Sequence, residues 1–141
     1  MHEGQIIDLV SRLRRRAHEI IAAELVRRGH AGVAPSHGAI LAMLYGRGGL
    51  PMSALAKGAG LRKNTVTAHV RKLEEAGYVR RGADPLDNRV TLVSLTPKGD
   101  AFRADFTAVS DALLARIWGG MQGERRAELV QGLEELLRNL G

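Results

Sequence analysis

The chain has 141 residues, a formal net charge of +6, 45% hydrophobic and 26% charged side chains, and no cysteine. That length suits one domain with a core of its own, and the missing cysteines exclude disulfides, a thiolate-held zinc and a thiol redox switch. No apolar run approaches the ~18 residues of a membrane span, and Met1-His2-Glu3-Gly4-Gln5 lacks the basic start and apolar block of a signal peptide, so the sequence predicts a cytoplasmic protein with no membrane partner.

Residues 5–28 place Ile6, Val10, Leu13, Ala17, Ile20, Ile21 and Leu25 at three- and four-residue steps, which predicts an amphipathic helix of about 36 Å ended by Gly29 and Gly32. Pro35 and Ser36 open a second helix running through Leu44. Leu50 to Met52 reads as a short strand, and Ser53 as the N-cap of a third helix, Ala54 to Ala59. A fourth helix starts near Arg62. Its Val66, Val70 and Leu73 form one buried stripe, leaving Arg62, Lys63, Asn64, Thr67, Ala68, Arg71 and Lys72 outside it, and Gly77 closes it.

Tyr78 to Gly82 and Val90 to Leu95 read as the strands of a hairpin, joined by the turn formers of Asp84-Pro85-Leu86-Asp87-Asn88-Arg89. Thr96-Pro97 is a helix start, with Thr as N-cap and Pro at the first position. Phe102, Phe106, Val109, Leu113 and Ile117 then form a long stripe, with Trp118 at its end in a core or an interface. Gly119, Gly120 and Gly123 interrupt it. A last helix carries Leu129, Val130, Leu133, Leu136, Leu137 and Leu140.

Charge is not spread evenly over these elements. Residues 47–98 carry ten basic and four acidic side chains, a net +6, whereas residues 1–46 carry +2 and residues 99–141 carry −2. A basic helix followed by a hairpin with an arginine at its tip is the layout of a winged helix, and the clustered charge is the footprint of phosphate neutralisation. The fold class is therefore mainly α with a small β-hairpin wing: a winged helix-turn-helix lobe over 35–96, with a helical dimerisation region over 1–34 and 97–141. The terminal helices carry more apolar surface than such a lobe needs, and a second copy is its natural cover.

The candidate DNA-binding residues are Arg62, Lys63, Asn64, Thr65, Thr67, His69, Arg71 and Lys72 on the fourth helix, with Asp87 and Arg89 on the wing. Arg71 has the chemistry to pair with O6 and N7 of guanine, and equally to clamp a phosphate. Asp87 and Arg89 form at least a turn ion pair, but a surface pair contributes only ~0–1 kcal/mol, whereas a protruding arginine gains from a narrow minor groove. The five histidines are scattered. His30 and His37 lie close across a turn with Glu24 not far away, too few for a metal sensor, and His37 is placed to touch a phosphate. No cofactor or metal is expected. The chain lacks a Cys nucleophile, a Gly-rich phosphate loop and a carboxylate pair beside a histidine, so it does not read as an enzyme. A winged helix that binds protein instead of DNA is the competing reading, and the +6 of residues 47–98 speaks against it.

Three blocks in order carry a family resemblance: Thr65-Val66-Thr67 with Leu73-Glu74-Glu75-Ala76-Gly77-Tyr78-Val79-Arg80, then Asp84 to Arg89, then Val93-Ser94-Leu95-Thr96-Pro97-Lys98-Gly99. Over nearly its whole length the chain resembles the MarR family of bacterial transcription regulators. The resemblance implies a homodimer whose winged helices enter the half-sites of a pseudo-palindromic operator in double-stranded DNA, usually as a repressor. It also implies a pocket for a small-molecule effector between the helical base and the DNA-binding lobes. By the same resemblance the helix from about Arg62 to Ala76 is the recognition helix, Arg89 reaches into the minor groove, and Asp87 braces it. The chain departs from the family pattern at Arg62, Ala68 and Asn88, which bears on the bases read.

Overall fold

A computed structural model describes residues 2–141. Its helices are α1 (Ile6–Arg27), α2 (Gly38–Leu44), α3 (Met52–Ala59), α4 (Lys63–Glu75), α5 (Pro97–Ala101), α6 (Arg103–Trp118) and α7 (Gly123–Leu140), and its strands are β1 (Leu50–Pro51), β2 (Val79–Ala83) and β3 (Thr91–Leu95). The fold is mainly helical with a small antiparallel sheet in the order β1-β3-β2. Short 3-10 turns precede α1 and α2.

The expected elements form, with four adjustments. The third helix begins at Met52, and Pro51, not Ser53, sits at its N-cap in an extended conformation. Proline fixes φ and has no N–H to lose, and buried Met52 anchors the first turn, which leaves Ser53 exposed just inside the helix. Pro51 also pairs with Leu92 at the sheet edge, where a missing donor is tolerated. The helix opened by Thr96-Pro97 is divided at Phe102 into α5 and α6, although Phe106 N–H still donates to the Phe102 carbonyl at 2.9 Å. Gly123 is the first residue of α7 and not part of the break. The strands begin one residue later than expected, at Val79 and Thr91.

The core lies where α2, α3 and α4 meet the sheet. Ile40, Leu41, Leu44, Leu55, Val66, Val70, Leu73 and Val93 are completely enclosed. The three-and-four spacing of Val66, Val70 and Leu73 puts one face of α4 into this core and turns the other outward.

The end of α4 is closed from two directions. Gly77 takes φ +88, which favours glycine, and the amides of Gly77 and Tyr78 donate back to the carbonyls of Glu74 and Leu73 at 3.0 and 2.9 Å. This Schellman arrangement drops Tyr78 into the core. Thr96 and the first turn of α5 then take the carbonyls of the closing turn. Thr96 N–H donates to Tyr78 O at 3.1 Å, the Thr96 hydroxyl to Gly77 O, and Lys98 Nζ to Ala76 O at 2.8 Å. Thr96 Oγ1 also accepts from the Gly99 amide at 3.1 Å, as the N-cap of α5.

Gly99 is buried, and a Cβ built on it would fall far inside contact with the Tyr78 carbonyl oxygen. Backbone cannot yield as a flexible side chain can. Gly99→Ala should therefore lower stability by about 1–3 kcal/mol, read as a reduced urea midpoint with an unchanged m-value.

Candidate nucleic-acid interface

Lys63, Asn64, Thr67, Ala68 and Arg71 share a shallow concavity on the outward face of α4. Between α4 and the hairpin lies a groove of about 320 Å³ whose walls include Lys63, Thr67, Arg81, Arg89 and Thr91. Three cations thus converge on one groove from α4, β2 and the wing. Arg62 is the N-cap of α4 and makes no side-chain cap bond, so the first-turn amides are left for solvent or an anion. The Thr67 hydroxyl donates to Lys63 O at 2.8 Å, leaving its oxygen free to accept.

Arg89 is 86% exposed at the side chain yet held in one geometry. Its Nε and Nη2 donate to the two carboxylate oxygens of Asp87 at 3.0 and 3.1 Å, and its backbone N–H donates to Oδ1 at 3.1 Å. The Arg89 side-chain hydrogen bonds hold the Asp87 carboxyl below its ordinary range. Asp84 Oδ1 accepts the Leu86 amide at 2.8 Å, which tightens the loop. A forked ion pair fixes a long, otherwise mobile side chain and so lowers the entropy lost when it meets a ligand.

Sequence reasoning passed over Arg81. Glu74 accepts from its backbone N–H and from its Nε, both at 3.0 Å, tying the hairpin to the last turn of α4. The signal was its place in the basic segment beside Arg80; that it shares a groove with Arg89 is a fact of the hairpin's docking. Of the expected residues, Lys63, Thr67 and Arg89 come together in that groove. Asn64 and Arg71 lie on the outer face, and Arg62 and Lys72 are exposed near the ends of α4. Thr65 and His69 are half-buried and line neither concavity.

His37 does not meet a phosphate. It is 3% exposed, accepts the Ala34 amide on Nδ1 at 3.1 Å, and packs edge-on against His69 at 5.1 Å. His30 lies in a separate network, with Nδ1 2.7 Å from the Tyr78 hydroxyl and Nε2 2.8 Å from Asp105 Oδ2. Burial, then the nearby Asp105 charge, raises the Tyr78 phenol, and the Asp105 carboxylate is the acceptor of its bond with His30. Arg28 donates to the other Asp105 oxygen at 3.0 Å. His30 and then Arg28 lower the Asp105 carboxyl. This chain of bonds links the end of α4 to α1 and α6. Among the described residues no three His, Asp or Glu side chains are placed to hold a metal ion.

Beside this network is a cavity of about 110 Å³, walled by Ile21 and Leu25 of α1, Val33, Ala34 and Pro35, Gly38 of α2, and Phe102, Phe106, Val109 and Ser110. It lies between the long helices and the α2–α4 lobe. Trp118 is elsewhere, half-exposed at the end of α6 with the Arg126 guanidinium 5.7 Å from its ring centre.

Residues 33–91 match the model of the MarR family. The HTH-type transcriptional regulator YdgJ of Bacillus subtilis (strain 168), itself uncharacterized, is 28% identical over 109 residues. Those residues are 77% of this chain and 66% of YdgJ, just under two thirds of its length. A MarR-family transcriptional regulator from Silicibacter pomeroyi is 26% identical with a TM-score of 0.73 over 99% of this chain and 92% of its own. CouR from Rhodococcus jostii RHA1, bound to p-coumaroyl-CoA, is 25% identical with a TM-score of 0.76 over 94% and 92% of the two chains.

Burial, then the charges of His69 and Lys72, pushes His37 down to about 4. The folded state therefore resists a proton that the unfolded chain accepts near the ordinary histidine value, about 6.5. Its contribution is complete above pH 6.5 and is lost as pH falls toward 4, by at most about 3 kcal/mol. The lowered carboxylates Asp87 and Asp105 lose theirs only below about pH 4. Urea midpoints should fall between pH 6.5 and 4, and His37→Asn, which keeps an acceptor for the Ala34 amide, should flatten that slope.

Proposed function

We infer from residues 33–91, which belong to the MarR family of transcription regulators, that this protein is a homodimeric, effector-responsive repressor binding a pseudo-palindromic operator. The observation that carries the reading is the groove in which Lys63 of α4, Arg81 of β2 and the Asp87-braced Arg89 converge. In the proposed complex α4 lies in the major groove. Lys63, Asn64, Thr67 and Arg71 face base edges and phosphates, and Arg62 and Lys72 meet backbone at either end. Thr65 and His69 hold the helix at its depth, and Arg89 enters the adjacent minor groove.

The proposed division is a DNA-binding lobe over 35–96 and a dimerisation region over 1–34 and 97–141. Exposed apolar rows support it. Ile7 and Leu13 of α1 are 70% and 53% exposed, Leu133 and Leu136 of α7 are 43% and 44% exposed, and α7 buries no residue within the chain. Among the described residues no helix is long and apolar enough to cross a membrane, and a cytoplasmic setting fits contact with DNA.

The cavity beside Phe102 is the proposed effector site. The Phe102 ring packs against Tyr78 at 5.4 Å and His30 at 4.5 Å, so an occupant is one side chain from the end of α4. An effector that binds better to a dimer whose recognition helices are no longer about 34 Å apart shifts the population away from DNA; one that binds both forms equally shifts nothing.

Fluorescence anisotropy on duplex from upstream of the protein's own gene tests the reading. Binding should be salt-sensitive and should exceed that to a scrambled duplex. Arg89→Ala should lose about 1–3 kcal/mol of affinity and reduce the salt slope by about 1, with dimer mass and helix content unchanged. Loss of the dimer in that variant would make Arg89 structural. Separately, Leu133→Asp should halve the sedimenting mass, because a charge placed in an apolar interface cannot be solvated there.

A further inference from the structure

The wall of the 110 Å³ cavity contains no charged side chain, and Ser110 supplies its single side-chain hydroxyl. Its backbone donors are engaged as well. The Val33 amide donates to His30 O at 3.1 Å, the Ala34 amide to His37 Nδ1 at 3.1 Å and the Gly38 amide to Pro35 O, and Pro35 has no N–H. Two imidazoles stand behind the wall with nitrogens already engaged: His30, packed on Phe102, has both committed to Tyr78 and Asp105, and His37 accepts the Ala34 amide on Nδ1. A carboxylate placed here would lose its hydration and find one hydroxyl in exchange, which is strongly unfavourable.

Size sets the other limit. An apolar cavity of about 150 Å³ lined by Leu, Ile and Phe stays dry and admits benzene. The present cavity is somewhat smaller, partly open at the surface, and has the same kind of lining, with Leu25, Val33, Phe102, Phe106 and Val109.

We propose that this cavity takes an uncharged ligand about the size of one six-membered ring, a hydrocarbon or one bearing a single hydroxyl for Ser110, and that it rejects carboxylates. The proposal rests on the reading of this cavity as the effector site.

The test uses the full-length protein with toluene, phenol and benzoate as probes at pH 7.5, where only benzoate is ionised. Titration calorimetry and thermal shift report binding, and anisotropy on the duplex reports release. Toluene and phenol should bind at least tenfold more tightly than benzoate. Gly38→Ala should weaken toluene several-fold. A Cβ at Gly38 would meet Phe106 Cε2 at 3.8 Å, an ordinary contact, and Gly38 already has helical φ and ψ of −58° and −43°, so the variant folds while losing cavity space. Val109→Phe should abolish toluene binding.

Benzoate binding as tightly as toluene, no binding of any probe, or toluene binding untouched by Gly38→Ala would each overturn the proposed ligand class. Toluene bound in the cavity with the duplex retained would uphold the ligand class and refute the effector role. Benzoate releasing the duplex while toluene fails to bind would do the reverse.

Discussion

The closing of α4 at Gly77 and Tyr78 is the constraint on which the other features depend. A helix end leaves carbonyls without partners, and buried carbonyls must find them. Here the Tyr78 and Gly77 amides take those of Leu73 and Glu74, and the carbonyls of the closing turn, Ala76 to Tyr78, are taken by groups about twenty residues further along: the Lys98 ammonium and the Thr96 hydroxyl and amide. Thr96 Oγ1 also accepts the Gly99 amide and so caps α5. The end of α4, the start of β2 and the start of α5 are thus fixed to one another at this junction, and Gly99 is the residue that lets the two backbones approach.

From that junction the interface is assembled by short-range chemistry. Glu74, in the last turn of α4, holds Arg81, and Asp87 holds Arg89. Both acids lie beside cations that a DNA-binding surface needs. They subtract charge, but they restrict long side chains that would otherwise lose much rotamer freedom on contact. The trade favours geometry over total charge, which suits the proposed reading of a groove rather than adhesion to any polyanion.

The junction also joins two regions with different packing. The α2–α4 lobe is enclosed on its inner side, whereas α1, α6 and α7 leave apolar rows open. Between them lie the cavity and the Tyr78–His30–Asp105–Arg28 chain. Phe102, Tyr78 and this polar chain offer a path by which a change in the spacing of the long helices reaches the end of α4. That is a short physical route, made of close-packed side chains, between the proposed effector cavity and the proposed recognition helix.

Periodicity and turn chemistry alone determined much of this protein. Val66, Val70 and Leu73 marked the inward face of α4, Gly77 its end, Thr96-Pro97 the start of α5, and the Asp84–Arg89 loop the wing, because each signal is local to a few residues. The Asp87–Arg89 pair was legible for the same reason. What the tertiary structure decided depended on segments far apart in sequence. Pro51 displaced Ser53 as a helix start because the adjoining strand docks on β3. His37, which read as a phosphate contact, is enclosed beside His69, and Arg81 joins the interface because the hairpin folds against α4. The cavity's lack of any charged side chain arises where α1, α2 and α6 converge. Side-chain periodicity reports which face of an element is buried; only packing decides what it is buried against.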